Sequence, residues 1–243
     1  MKLLENIITP EDIAVFKQYW NDYNHLHYIN SYPGENHPHK EISSFTDQRL
    51  LIVENTPAWD ICRRVVDAVA EEGPGQPIWC NYQRQAIPHK LHVDEYGKNR
   101  LNPTWTIIMA MDTVPEFKAV IFKEQFNESD DLDAAMREHD YTLPEKNNTA
   151  VTDDMDHMDL IINDKNYNFC NWLTLDGVFS YKAGNGALFD TNQAHSTSNW
   201  RKYPEFSYRD LVQIHYGVTN SDGENKTGEK IPSQNDMIAQ LKG

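Results

Sequence analysis

After residue 76, most of the chain consists of short β-rich runs, and this pattern limits the fold more than any other feature. The runs are rich in β-branched and aromatic residues, and turn residues separate several of them, as in PIWCNYQ, HKLHVDEY, TWTIIMAM, KAVIFKEQ, NFCNWLTL, GVFSY, GALFD and YRDLVQIHYG. Runs of this length and composition predict strands. Because no strong helical pattern alternates with them, the sequence predicts an antiparallel sandwich or barrel.

Two helices are predicted before these strands. The first begins at Thr9-Pro10-Glu11, where Thr9 is suited to cap the helix and proline to occupy its first position. Apolar and amphipathic side chains follow at helical spacing, at Ile13, Phe16, Lys17, Trp20 and Tyr23. The second is expected from Thr56 to Glu72, with Trp59, Cys62, Val66 and Val69 on one face and Gly73-Pro74-Gly75 ending it. We expect both helices to pack against the outside of the β core.

Length and charge limit the organisation and the partners of the chain. With 243 residues, 39% of them hydrophobic, the chain is long enough for one core. We therefore expect a single domain over residues 1–243, with a β core over about 77–217. A formal net charge of −15 argues against extended nucleic acid as a partner, because phosphate binding depends on lysine and arginine.

Cysteine use and the first residues predict a cytoplasmic protein. The cysteines, Cys62, Cys80 and Cys170, are three in number and widely spaced, which fits neither a disulfide framework nor a paired zinc motif. The opening MKLLENIITPEDIAVF has acidic residues among its apolar ones, so no secretory signal or membrane span is expected there.

The stretch from Glu124 to Lys165 interrupts the β pattern with thirteen acidic and three basic residues. A short helix is predicted at Asp130 to His139. Two interpretations stay open for this acidic insertion. It is a solvated surface segment, since runs of charge usually are, or it is a lid, since long loops on a rigid β scaffold often carry binding function.

Three residues form a candidate metal site. His92 and Asp94 stand two positions apart, so on a strand both side chains would leave the same face. His195 follows 101 residues after Asp94. Two imidazoles and one carboxylate can bind one face of a non-haem Fe(II) ion and leave the opposite positions open. The pattern therefore predicts an oxygen-activating metal centre.

Other candidate residues have simpler interpretations. The remaining histidines after residue 76 are expected to be ordinary hydrogen-bonded polar residues, namely His89, His139, His157 and His215, and Asp190 a turn acceptor. A separate early site at His25, His27, His37 and His39 lacks nearby cysteines. Four aromatic residues are candidates either for the core or for the lining of a substrate pocket, namely Tyr96, Trp105, Trp172 and Trp200.

The order of His92-Val93-Asp94, the segment GNGALFDTNQAHS with His195, and Arg209 in YRDLVQIHYG resembles the Fe(II)/2-oxoglutarate-dependent dioxygenases. The resemblance covers roughly Pro77 to Gly217. It implies a mainly β protein with flanking helices around a double-stranded β-helix, which is a jelly-roll, cupin-like core. It also implies that His92, Asp94 and His195 are the iron ligands.

The resemblance implies further roles in binding 2-oxoglutarate. Arg209 would bind the C5 carboxylate, although it lies fourteen residues after His195, which is farther than is common in the family. Arg201, six residues after His195, is the competing candidate. We favour Arg209 because it opens a clear strand and Arg201 does not. Asn81 and Gln83 match the family's polar contacts to 2-oxoglutarate by position and shared face.

The activity implied by the resemblance is hydroxylation of an unidentified substrate, with O2 and 2-oxoglutarate consumed and succinate and CO2 released. Because the acidic insertion would attract positive charge, a cationic or polar substrate is expected. Two alternatives from other classes stay open. One is a cupin-like isomerase using a different divalent ion, and the other is a non-catalytic β-sandwich binding module. The full set of three ligands with a basic residue favours the oxygenase.

Overall fold

A computed structural model describes residues 1–23, 28–30, 47–85, 91–94, 104–127, 131–132, 134–135, 173–197 and 208–218. Within these residues the protein is mainly β, with two helices and ten strands. The helices are α1 (Pro10–Asp22) and α2 (Pro57–Ala68). The strands are β1 (Lys2–Leu4), β2 (Tyr28–Asn30), β3 (Asp47–Leu51), β4 (Gln76–Gln85), β5 (Trp105–Ala110), β6 (Val114–Gln125), β7 (Leu175–Tyr181), β8 (Gly186–Asp190), β9 (Gln193–Thr197) and β10 (Arg209–Gly217).

Both helices begin at a capping threonine. Thr9 Oγ1 accepts a hydrogen bond from the Asp12 backbone N–H at 3.2 Å, and the Asp12 carboxylate accepts from the Thr9 N–H at 2.8 Å. Thr56 caps α2 in the same way, accepting from the Trp59 N–H at 3.3 Å. Proline follows each cap. Its missing N–H breaks no helical hydrogen bond there, because the first N–H groups of a helix have no acceptor within it.

The strands form two antiparallel sheets that share one interior. The large sheet has the order β1-β8-β5-β10-β4-β3-β2, and the small sheet has the order β7-β6-β9. A single backbone bridge at His92 and His195 extends the small sheet beyond β9. From β4 onward the chain passes repeatedly from one sheet to the other. The fold is therefore the jelly roll expected from the sequence.

Strand alternation divides the side chains of the large sheet between two environments. On β10, Val212 and Ile214 belong to the apolar core that also contains the buried residues of α1 and α2. Leu211, on the opposite face, packs between the sheets with residues of β6 and β7 such as Ala119 and Phe179. Helices therefore cover the outer face of the large sheet, and its inner face looks toward the small sheet.

The sequence predicted these elements unevenly. Helix α1 begins where expected, but α2 ends at Ala68, before the predicted Glu72, and turns follow it. Strands β1, β2 and β3 were not predicted. The run 89–96 was expected to be a strand, but in its described part, 91–94, only His92 makes a bridge. Trp105 packs against the helix-side core and close to Gly73, and does not line the space between the sheets.

Most of the acidic insertion lies outside the described residues, so its suggested role as a lid stays a prediction. Residues 131–132 and 134–135, within the predicted short helix, are helical. In the part of the chain that the structure describes, no helix is both long and apolar enough to span a membrane.

Asp210 provides a test of how the outer face of the large sheet is held. Its carboxylate is 4% exposed and accepts from Arg84 at 2.9 and 2.8 Å and from the Tyr82 hydroxyl at 2.8 Å. We expect Asp210→Ala to lower the free energy of unfolding by about 2–4 kcal/mol, because a partly buried cation and a buried hydroxyl lose their acceptor. Urea denaturation followed by circular dichroism measures the change.

The matched control is Asp112→Ala, which removes an ion pair with Lys17 whose side chains are 39% and 45% exposed. Pairs this exposed contribute at most about 1 kcal/mol. Equal losses in the two variants would contradict the structural role given to Asp210.

Candidate metal centre

The segment 91–94 directs its polar side chains to the interior although it is not a regular strand. Leu91 and Val93 are buried in an apolar cluster with Val120 and Phe122, on the outer side of the small sheet. Because side chains alternate along an extended segment, His92 and Asp94 point the other way. His92 and Asp94 thus share one face, as expected. The segment is held by the bridge at His92 and by one further backbone hydrogen bond, from the Asp94 N–H to the Thr191 carbonyl at 3.4 Å.

His92 and His195 are neighbours across the small sheet. Each backbone N–H donates to the carbonyl of the other residue at 2.9 Å. This reciprocal pair brings the two imidazole rings together, with centroids 4.2 Å apart. Two residues that are far apart in sequence are therefore held in a fixed relation by the backbone.

His92, Asp94 and His195 meet at one point of the interior. One ligand atom from each lies within 4.8 Å of the others, and Asp94 Oδ1 is 3.7 Å from His195 Nε2. His195 is buried, and the other two are partly buried. Two imidazole nitrogens and one carboxylate oxygen in this arrangement suit a divalent transition metal that keeps open coordination positions.

A hydrogen bond selects which nitrogen of His195 is available to a metal. Nδ1 lies 2.9 Å from the Gln193 carbonyl oxygen, which can only accept, so Nδ1 carries the proton. Nε2 is then the unprotonated nitrogen, and it faces Asp94. Backbone orientation of this kind fixes the ring and its tautomer before a metal binds.

Asp94 is oriented by residues of the large sheet. Its Oδ2 accepts from the Thr106 hydroxyl at 3.0 Å. Since that hydroxyl has only one proton, the Thr106 oxygen must accept from its other neighbours, His215 Nδ1 at 3.0 Å and the Thr191 hydroxyl at 3.3 Å. These contacts engage Oδ2 and leave Oδ1 on the side of His195.

The charge states of Asp94 and His215 follow from their surroundings. Burial alone would raise the pKa of the Asp94 carboxyl, but the surrounding imidazoles and the Thr106 hydroxyl outweigh it and hold that pKa below its ordinary value. Burial lowers the pKa of His215 to about 4, although Asp94 opposes the shift. At neutral pH, Asp94 is therefore an anion and His215 a neutral donor.

Arg209 lies on the same inner face, at the other end of β10. It is 2% exposed, and its guanidinium donates from Nε and Nη2 to Oε1 of Gln85, the Nε contact being 2.7 Å. The ring of Tyr181, on β7, lies 4.2 Å from the guanidinium carbon. The amide and the ring fix a buried cation whose planar fork suits a carboxylate.

A chain of buried amides extends from Arg209 along this face. Gln85 Nε2 donates to Gln83 Oε1 at 3.1 Å, and Gln83 Nε2 donates to Gln213 Oε1. Because the guanidinium can only donate, it determines the orientation of each amide in turn. The Nε2 group of Gln213 is then the last donor of the chain, and His215 lies two residues farther along β10.

The structure brings together some predicted site residues and adds others. Asn81 and Gln83 share the inner face of β4, as expected, and Asn81 Oδ1 accepts from Trp79 at 2.8 Å. Arg201 and the early histidines lie outside the described residues. Asp190 accepts from the Asn192 N–H at 2.9 Å and so has the turn role expected of it.

Four residues of the interior were not singled out by the sequence analysis, namely Gln85, Thr106, Gln213 and His215. The sequence predicts an ordinary polar role for His215, and its hydrogen bond to Thr106 agrees, but it also lies 3.9 Å from Asp94. Strand alternation with Arg209 or Gln83 could have identified three of the four. Thr106 required knowledge of the pairing between β5 and β10, since it lies opposite His215.

No family model and no curated protein matches this sequence. Solved structures match in fold. SnoN, a non-heme alpha ketoglutarate dependent epimerase from nogalamycin biosynthesis, aligns with a TM-score of 0.53 and 10% identity over 89% of this chain and 76% of that one. The carbocyclase SnoK from the same biosynthesis gives 0.52 and 11% over 98% and 85%. HygX from Streptomyces hygroscopicus, with nickel and 2-oxoglutarate bound, gives 0.50 and 11% over 90% and 82%. At identities this low, the structural matches show a shared fold and nothing finer.

The three converging side chains predict a metal site that can be removed one ligand at a time. We expect Asp94→Ala and His195→Ala each to abolish measurable Fe(II) binding in anaerobic calorimetry, because two ligands cannot hold the ion against water. Asp60→Ala, which removes an exposed carboxylate of α2, is the control and should bind Fe(II) like the wild type. Undiminished binding in both ligand variants would refute the site.

The Thr106 hydroxyl gives a second test, of how Asp94 is oriented. Thr106→Val keeps the shape of the side chain but removes the donor to Asp94 and the acceptor for His215. We expect metal affinity to fall about 10–100-fold, as is typical when a residue supporting a ligand is lost. Calorimetric titration with Mn(II) measures this, and Thr106→Ser should restore the affinity. Equal affinity in the valine and serine variants would mean that Asp94 needs no such support.

Proposed function

We propose that the protein is an Fe(II)- and 2-oxoglutarate-dependent oxygenase that hydroxylates a small polar substrate with O2, releasing succinate and CO2. The observation that carries the proposal is the convergence of His92, Asp94 and His195 at one end of a jelly-roll interior. The neighbours SnoN and SnoK, described as alpha ketoglutarate dependent, and HygX, described with 2-oxoglutarate bound, support it at the level of fold.

The residues present fit the proposed metal and co-substrate. The ligand set is the one that suits non-haem Fe(II), and two of its members are oriented by hydrogen bonds before any ion binds. Bound Fe(II) would supply the activation of O2 that side chains alone cannot perform. Arg209 would hold the C5 carboxylate of 2-oxoglutarate, and the amides of Asn81 and Gln83 would contact the same molecule.

Each of these protein groups has a defined task in the proposed reaction. Asp94 contributes a negative charge to the metal while Thr106 keeps its second oxygen occupied. Neutral His215 donates into this arrangement without adding positive charge beside the ion. Apolar side chains between the sheets, among them Phe189 and Ile121, exclude water from the reacting end.

The remaining expectations belong to the same proposal. We take the chain to be a single domain, and we place it in the cytoplasm, because its three cysteines are widely spaced and odd in number. The charge of −15 favours a polar or cationic substrate over an anion such as nucleic acid. A cupin-like isomerase or a binding module would share the fold but would give no role to 2-oxoglutarate.

Turnover of the co-substrate tests the proposal directly. The protein, loaded anaerobically with Fe(II) and given 2-oxoglutarate and O2, should form succinate even without its substrate, at a slow uncoupled rate. We expect Arg209→Lys to weaken 2-oxoglutarate binding about tenfold or more while Fe(II) binding persists, because lysine keeps the charge and loses the fork. Succinate formation across a range of 2-oxoglutarate concentrations gives the KM.

Arg84→Lys is the matched control, since Arg84 lies on the outer face and binds Asp210. If Arg201→Ala raises the KM for 2-oxoglutarate and Arg209→Lys does not, the roles of the two arginines must be exchanged. If wild-type protein with Fe(II) neither binds nor consumes 2-oxoglutarate, the isomerase or binding-module alternatives gain support.

A further inference from the structure

A second guanidinium reaches the interior from β3. Arg49 lies opposite Gln83 in the pairing of β3 with β4, and residues opposite one another point to the same face. Its neighbour Leu50 lies opposite Tyr82, and both are in the helix-side core. Arg49 therefore shares the inner face with Gln83, beside the amide chain that begins at Arg209.

Arg49 is placed differently from the other arginines of the sheet. Arg84 binds the Asp210 carboxylate, and Arg209 is held by Gln85 and Tyr181. Arg49 is only partly buried, yet its Nε is enclosed and donates to no acceptor within the described residues. No carboxylate in that part of the chain lies within ion-pair distance of it. Among the described residues, the Nε donor is therefore left without an acceptor.

Arg49 lies beside Gln83, on the side of β4 that faces away from β10. The pairing places β3 two strands from β10, or about 10 Å across the sheet. Along the strands, Arg49 is level with Gln83 and Leu211, four residues of β10 from His215. Arg49 therefore reaches the interior from the side, on a different line from the one that runs along β10 from Arg209.

We propose that Arg49 binds a carboxylate of the substrate, so that the substrate lies between the β3 side of the interior and the metal. The proposal rests on the proposed function, in which Arg209 takes the co-substrate. A partly exposed guanidinium whose Nε lacks an acceptor can bind a carboxylate through two parallel hydrogen bonds. The shared chemistry leaves two sources for that carboxylate, the substrate and 2-oxoglutarate itself, and the experiment separates them.

This assignment narrows the expected substrate class. The acidic exterior favours a molecule with positive charge, whereas Arg49 requires a carboxylate inside. A small zwitterion, which carries an ammonium group and a carboxylate, satisfies both. An amino acid or a related amino carboxylate is thus the substrate class that we expect.

Acetate is a suitable probe, because it carries the carboxylate and little else. The protein is loaded with Mn(II) and saturated with 2-oxoglutarate, and the paramagnetic relaxation of the acetate methyl protons is measured by NMR. We expect a clear enhancement in the wild type and an acetate affinity at least about tenfold lower in Arg49→Gln, since a charge-assisted pair is lost. Arg49→Lys should fall between them. Arg63→Gln removes an exposed charge from α2 and should match the wild type.

The outcomes separate this proposal from the proposed function. Relaxation that is absent in the wild type, or equal in wild type and Arg49→Gln, overturns the assignment of Arg49. Calorimetry with 2-oxoglutarate should give the same affinity in Arg49→Gln as in the wild type, and a loss there would make Arg49 a ligand of the co-substrate instead. If the wild type binds no 2-oxoglutarate, the proposed function fails, while the dependence of acetate binding on Arg49 is still measured on the Mn(II) protein.

Discussion

The hydrogen bond from Thr106 to Asp94 joins the two sheets at the end of the interior where the histidines meet. His92 and His195 belong to the small sheet, whereas Thr106 and His215 belong to the large one. A buried carboxylate is costly unless it is paired and hydrogen-bonded. Asp94 therefore depends on contacts from both sheets. The jelly roll supplies them because its chain passes back and forth between the sheets. The strands around Asp94 are thus positioned so that their residues contact this one charged side chain.

Polarity within the interior is ordered along its length. Arg209 stands at one end with only donors to offer, and the amides of Gln85, Gln83 and Gln213 pass that orientation along the sheet. Asp94 stands at the other end as an acceptor, fixed by neutral neighbours. Hydrogen bonds in a series of this kind polarise one another, and the low dielectric between packed sheets strengthens them. The fold thus presents a cationic end and an anionic end to whatever enters, with buried amides between them.

The sequence predicted a shared face for His92 and Asp94 for a local reason, whereas the choice of His195 depended on the order of motifs that carries the family resemblance. His92 and Asp94 alternate with apolar Leu91 and Val93, and this pattern is visible without knowing any partner strand. Roles that depend on pairing across strands were not visible. Nothing in the polar run from Asp47 to Arg49 predicts a strand, and nothing around Thr106 indicates that it lies opposite His215. Position along one strand can be deduced from periodicity, whereas register between strands is a property of the folded chain.

Net charge and site chemistry act over different distances in this protein. The acidic excess belongs to the chain as a whole, and at physiological salt the field of an exposed charge falls off over about 8 Å. Between the sheets, charges are screened much less, so the guanidinium groups on the inner face act on nearby atoms more strongly than distant surface carboxylates do. The surface can therefore influence which molecules approach, but the binding preference is set inside. Arg49 and Arg209, reaching the interior from β3 and β10, determine where negative charge is favourable in a protein whose overall balance is strongly negative.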